Sequence, residues 1–244
     1  MPTNPHLPDL DEKLRAAVRR FWSMRDRQAK KRGKKKDQGA RGAVTGGAQM
    51  NGFIDLVLEI LDAAGLPPES VHVKAKLEIP GFFRPAKKWD LLIVHRGALL
   101  ASIEFKSQVG PSFGNNANNR AEEAVGSATD LRAAFREGAF KPSPRPWLGF
   151  FMLLEETEAS TKPVNVDEPH FPVFEEFKDA SYTKRYELLC LKLVREGLYD
   201  SASFMVSNRS AEPGAYREPN EELAFRAFAA SLVGCVSAAL AAEQ

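Results

Sequence analysis

One stretch constrains this chain more than any other. From Trp89 to Lys106 two apolar, β-rich runs, Leu91–Val94 and Ala98–Ile103, flank Arg96-Gly97. That pattern predicts a hairpin closed by a tight turn. Counted back from a turn spanning His95 to Ala98, Asp90 faces Ile103, or Glu104 if one strand carries a one-residue bulge. Lys106, two residues beyond Glu104, shares its strand face because side chains alternate with period two. Carboxylates on neighbouring strands repel unless something positive lies between them. Two acids and a lysine at one spot suit a divalent metal and an activated water, which is phosphodiester-cleavage chemistry.

An Asp followed across a hairpin by Glu-x-Lys is the active-site signature of the PD-(D/E)xK nucleases. Here Trp89-Asp90 stands where that signature has Pro-Asp, and the proline takes no part in the chemistry. The same trio also suits a half-buried ion pair at a strand end, so three residues alone leave both readings open.

The class is bounded by 244 residues, 43% hydrophobic and 27% charged, enough chain for one substantial core. Cys190 and Cys235 lie in apolar helical patterns and suit a reducing compartment better than a disulfide framework. No secretory leader is expected, and the uncharged run Ala227–Ala242 is too short to span a membrane. It predicts a buried or subunit-packing helix.

Charge is uneven. Between residues 25 and 41, nine basic residues (Arg25, Arg27, Lys30, Lys31, Arg32, Lys34, Lys35, Lys36 and Arg41) face only Asp26 and Asp37, a net +7. The whole chain carries +2, so the remainder carries +2 − 7 = −5. An acidic body with one basic arm suits a phosphate backbone. A solvated tail or a nuclear-localisation run has the same composition. Glycines at 39, 42, 46 and 47 follow. Gln49 and Asn51 come after them, either as base readers or after a plain linker.

Periodicity predicts helices over 10–30, 49–64, 119–137, 186–198 and 221–242. Strands are expected over 71–79, in the two arms of the hairpin, and over 147–154 and 203–206. The fold class is therefore α/β, a mixed β-sheet flanked by helices. Residues 1–244 are expected to form a single domain, with a basic, Gly-rich arm at about 25–47. On the helix over 49–64, Asp55 and Glu59 could complete a second metal site or simply face solvent.

After Lys106 comes a polar cluster: Asn115, Asn116, Asn118, Asn119 and Arg120, four asparagines and an arginine at a helix start. Asn amides pair with adenine N6 and N7, and Arg with guanine O6 and N7. Helix N-terminal N–H groups attract phosphate. Capping alone needs one such residue. Gln108, on the Lys106 face, is placed to touch phosphate or water.

The stretches Glu104–Ala124, Asp37–Met50, Pro80-Gly81-Phe82-Phe83-Arg84-Pro85 and Phe177–Tyr182 closely resemble the XhoI-type restriction endonucleases, over most of the chain. The resemblance implies a PD-(D/E)xK core and a type II enzyme that acts as a homodimer with Mg²⁺. It implies a staggered cut of double-stranded DNA at the palindrome CTCGAG. It implies too a cognate DNA methyltransferase and the bacterial cytoplasm. Asp90, Glu104 and Lys106 then carry over as catalytic residues. Asp90, Glu104 and the Phe105 carbonyl would hold the metal, since the donors are oxygens and no Cys/His cluster competes. The alternatives are a structure-specific or non-specific nuclease of the same fold, and a DNA-binding protein without catalysis.

Overall fold

The computed structural model describes residues 9–33 and 48–242, with the backbone alone at 31–33. The elements are α1 (Leu10–Gly33), α2 (Asn51–Ala63), β1 (Val71–His72), β2 (Glu78–Pro80), β3 (Ala86–Lys88), β4 (Leu91–His95) and β5 (Ala98–Gln108). There follow α3 (Phe113–Arg136), β6 (Trp147–Glu155), α4 (Glu158–Thr161), α5 (Tyr182–Arg195), β7 (Ser201–Ser207) and α6 (Phe225–Ala241).

Five strands form one mixed sheet in the order β1-β4-β5-β6-β7. β4 runs antiparallel to both β1 and β5, and β6 pairs in parallel with β5 and β7. Strand β6 shows how the sheet is buried on both sides. Trp147, Phe151 and Leu153 pack with α1, α2 and α6 on one face, while Leu148, Phe150, Met152 and Leu154 pack with α3 and α5 on the other. A strand without a polar side chain from Trp147 to Leu154 needs helices on both sides, and here it has them.

The hairpin forms as expected, with a register that settles the alternative. His95 faces Ala98 and Val94 faces Leu99, but Ile93 faces Ala101 and Leu91 faces Ile103. Leu100 is the extra residue of a bulge. Packing explains it, since the shift turns Leu91, Ile93, Ala101 and Ile103 to the same core. Continued by one residue, the register sets Asp90 opposite Glu104.

Several elements differ from the periodicity. The strand expected over 71–79 is split, with β1 on the main sheet and β2 paired with β3 in a separate two-stranded ribbon. Between them Lys76 takes φ +57° and turns the chain away. Helix α3 begins six residues early. Buried Phe113, stacked on Tyr182 at 5.9 Å, anchors a first turn whose Gly and Asn residues disfavour helix. Val125, placed by its spacing in the α3 core stripe, is 42% exposed. The last helix is preceded by a separate 3-10 turn at Glu221–Leu223.

Arg96 and Gly97 close the hairpin at φ +49° and +80°, a pair of left-handed residues that matches the twist of the strands. Nothing lies within 4 Å of a Cβ built on Gly97, so only backbone strain would oppose a side chain there. Gly97→Ala is expected to lower stability by about 1 kcal/mol, read as a lower urea midpoint with unchanged slope.

Candidate active site

The bulge converts a hairpin into a chemical site. Asp90 and Glu104 point to the α3 face of the sheet and Lys106 follows Glu104 on that face. The Phe105 N–H donates to Asp90 Oδ2 at 2.8 Å and fixes that carboxylate. Lys106 Nζ pairs with Glu104 Oε1. Lys87, reaching over from β3, places its Nζ 2.8 Å from Glu104 Oε2 and 4.6 Å from the centre of the Trp89 ring. Glu104 is thus a buried carboxylate between two ammonium groups.

These contacts divide the two acids. Burial raises the Asp90 carboxyl above its ordinary range and the Glu104 charge adds to this, against the Phe105 N–H and the lysines. Burial works the same way on Glu104, but Lys106 and Lys87 outweigh it and hold its carboxyl low. Burial would ease the proton off Lys106, yet the Glu104 charge prevails and keeps it protonated.

The trio lies in a cleft of about 1350 Å³. One wall is a stripe of α3, with Asn116, Arg120, Glu123, Ser127 and Asp130 at alternating spacings of four and three. Glu123 lies 3.7 Å from Lys106 Nζ and also pairs with Arg120, whose Nε is buried without a hydrogen-bond partner. Arg25, Lys74, Arg84, Lys87 and Lys88 also line the cleft. A polyanion entering it meets cations on several sides.

Other expected residues are placed as follows. Asn116 lines the cleft, but its amide donates to the Ser112 carbonyl at 2.5 Å. Asn115, Asn118 and Asn119 are exposed, and Asn118 faces a separate groove beside Phe174 and Phe177. Gln108 is buried and donates to the Val109 and Ser112 carbonyls, so it secures the turn into α3. Lys30 is exposed at the end of α1, and Lys31 and Arg32 continue that helix. Lys34, Lys35, Lys36, Arg41 and the glycines of the arm lie outside the described residues. Gln49 is buried near Gln28, and Asn51 is exposed on the cleft wall.

Asp55 and Glu59 take no part. They pair with Arg20 and Lys13 across α1, because their face of α2 is the one turned to that helix's polar side. Among the described residues no three His, Cys, Asp or Glu side chains gather around a metal position. Two carboxylates with room for water and phosphate oxygens still fit a hard divalent ion, which keeps part of its water shell. Burial and the Glu104 charge raise the Asp90 carboxyl, and a cation bound beside it would oppose that shift. Lys87 and Glu123 were not among the residues expected from the sequence. Their only signal is proximity, Lys87 three residues before Asp90 and Glu123 three after Arg120.

The sign of the Asp90 shift gives a measurement. An acid whose folded value lies above its unfolded 3.8 destabilises the fold as pH rises through that window. Asp90→Asn removes that cost. It is expected to raise the thermal midpoint of the metal-free protein at pH 8, with a gain that shrinks as pH falls toward about 4.

Comparison with known proteins finds relatives over most of the chain. The family model for restriction endonuclease XhoI matches residues 28–218. The type II restriction enzyme BstVI of Geobacillus stearothermophilus is 54% identical over 204 residues, 81% of this chain and 91% of that protein. The type II restriction enzyme XhoI of Xanthomonas vasicola is 44% identical over 193 residues, 78% of each chain. The type II restriction enzyme AbrI of Azospirillum brasilense is 48% identical over 168 residues, 68% of this chain and 75% of that one. No solved structure matches. No helix among the described residues is long and apolar enough to cross a membrane. A two-carboxylate, one-lysine site on a bulged hairpin, together with matches over most of the sequence, makes this chain a member of the XhoI restriction endonuclease family and a type II restriction enzyme.

Proposed function

We propose that the protein is a Mg²⁺-dependent homodimer that cuts both strands of CTCGAG in double-stranded DNA with a staggered break. The observation that carries this reading is the meeting of Asp90, Glu104 and Lys106 on one face of the bulged hairpin, at the floor of a cation-lined cleft. The XhoI relative motivates the choice of site.

Asp90, Glu104 and the Phe105 carbonyl would hold the metal. Bound there, Mg²⁺ would polarise the scissile phosphate and acidify a water. Lys106, kept protonated by Glu104, opposes the charge that develops on the phosphoryl oxygens and orients the attacking water. Lys87 and Lys106 neutralise Glu104, and with a metal held by that carboxylate their ammonium groups would be left to oppose phosphate charge. Arg120 offers its guanidinium to a phosphate, and Glu123 steadies Arg120 and Lys106. The exposed asparagines Asn115, Asn118 and Asn119 supply base contacts, and Asn116 and Gln108 hold the backbone beneath them. Lys30, Lys31, Arg32, Lys34, Lys35, Lys36 and Arg41 form an arm that gathers the phosphate backbone.

A palindrome read symmetrically calls for two copies related by a twofold axis. The small-residue outer face of α6 is one surface where they could meet. The full chain, residues 1–244, acts as one nuclease domain in the bacterial cytoplasm, where a cognate methyltransferase protects host sites.

The test is plasmid cleavage with Mg²⁺. Wild type is expected to give discrete fragments whose ends map to CTCGAG, and chelation to stop the reaction. Glu104→Ala and Asp90→Asn are expected to lose at least about a thousandfold in rate, and Lys106→Ala about as much. Random degradation would point to a non-specific nuclease. DNA retention without metal-dependent nicking would leave only a binding protein.

A further inference from the structure

The motif Pro80-Gly81-Phe82-Phe83-Arg84-Pro85 has no role in the chemistry above, yet its placement is unusual. It joins β2 to β3 and carries two neighbouring aromatics on the protein surface. Phe82 is 52% and Phe83 71% exposed, with ring centroids 5.0 Å apart in an edge-to-face pair. Exposed aromatics on a slack loop would collapse onto the nearest apolar surface. This loop is held away from that outcome. Buried Asp130 of α3 accepts from the N–H groups of Phe82 (2.7 Å) and Phe83 (2.8 Å) and from Arg84 Nε (2.7 Å). Gly81 is required for that clasp, because a Cβ there would stand 2.5 Å from Asp130 Oδ2 and 2.7 Å from the Arg84 carbonyl. The structure therefore fixes the backbone of a loop whose two largest side chains touch little.

What the loop presents its rings to is set by its neighbours. Phe83 and Arg84 line the same cleft as Asp90, Glu104 and Lys106. Lys74, Lys87 and Lys88 line it too. An apolar ring among cations suits a partner with anionic rails and an aromatic interior, which describes a DNA duplex and its base stack. Apolar side chains that enter a duplex part a base step and bend the helix, at an unstacking cost of a few kcal/mol repaid by closer contact.

We propose that Phe83, backed by Phe82, inserts into the base stack beside the scissile phosphate, and that Asp130 and Gly81 hold it at the required angle. This rests on the DNA-cleaving reading above. The insertion would open the duplex where the active-site residues must reach the backbone. Sequences that resist unstacking there would be cut slowly, giving specificity at steps that no polar side chain touches.

The test uses the full protein with Ca²⁺ replacing Mg²⁺ to slow cutting. The probe is a duplex containing CTCGAG, with 2-aminopurine replacing in turn each adenine, on either strand, of the site and its flanks. Wild type is expected to raise the fluorescence several-fold at one step. Phe83→Ala abolishes the rise and weakens binding by about tenfold. That factor is the same at low and high salt, since no phosphate contact is lost. Phe83→Trp restores both signals. Asp130→Ala, which keeps both rings but frees the loop, reduces the rise. Phe83 is exposed, so its variants fold. A bound wild-type complex with no fluorescence rise at any position overturns the wedge and leaves the nuclease reading intact. Loss of the dimer in sedimentation of Phe83→Ala, with the rise unchanged, assigns the rings to a second copy of the chain instead. Wild type that binds neither this duplex nor genomic DNA overturns both readings.

Discussion

The site depends on one extra residue. Leu100 adds a position to β5 that β4 does not match, and the register beyond it moves by one. Without that shift Asp90 would face Ile103, and an acid would be turned against the core. With it, four apolar side chains meet beneath the sheet and two carboxylates meet above it. The core gains buried apolar area from the arrangement, and the carboxylates lose water and repel each other. Packing on one face thus holds an unfavourable pair together on the other, as strain at functional sites is often held.

Lysines moderate the result. Glu104 sits between Lys106 and Lys87, so the acids differ, one held ionised and the other resisting ionisation. Breaking such a buried cluster by removing one partner costs more than its formation contributes, because a bare charge remains. Helix α3 closes the arrangement from the side. Tyr199 donates to the Ala124 carbonyl at 3.2 Å, and Arg132 reaches Asp200 at 2.7 Å, fixing the helix to the sheet.

The hairpin and its trio were legible because their signals are local: alternation, a turn dipeptide, and charges at fixed offsets. Register was legible only as two options. Nothing within residues 90–106 chooses between them, since the choice is made by side chains of other elements packing on Leu91 and Ile93. Lys87 and Asp130 were invisible for the same reason, one arriving from another ribbon and the other from a helix. The early start of α3 was hidden by Gly and Asn, which argue for a loop until Phe113 finds Tyr182. Val125 kept the spacing of a core residue but lines a cleft, and spacing cannot distinguish a buried face from a concave one. The basic arm remains a matter of composition, because most of it lies outside the described residues.

Helix α3 is a single rigid rod with several tenants. Arg120 and Glu123 stand beside Lys106, Asp130 grips the aromatic loop, and Arg132 is tethered to Asp200. The asparagines occupy its opening turns. A descendant lineage could not slide or rotate this rod to read a new sequence without dislodging everything else fastened to it. With base contacts proposed at Asn115, Asn118 and Asn119, the freedom left to such a lineage is to swap those exposed side chains while the rod stays in place.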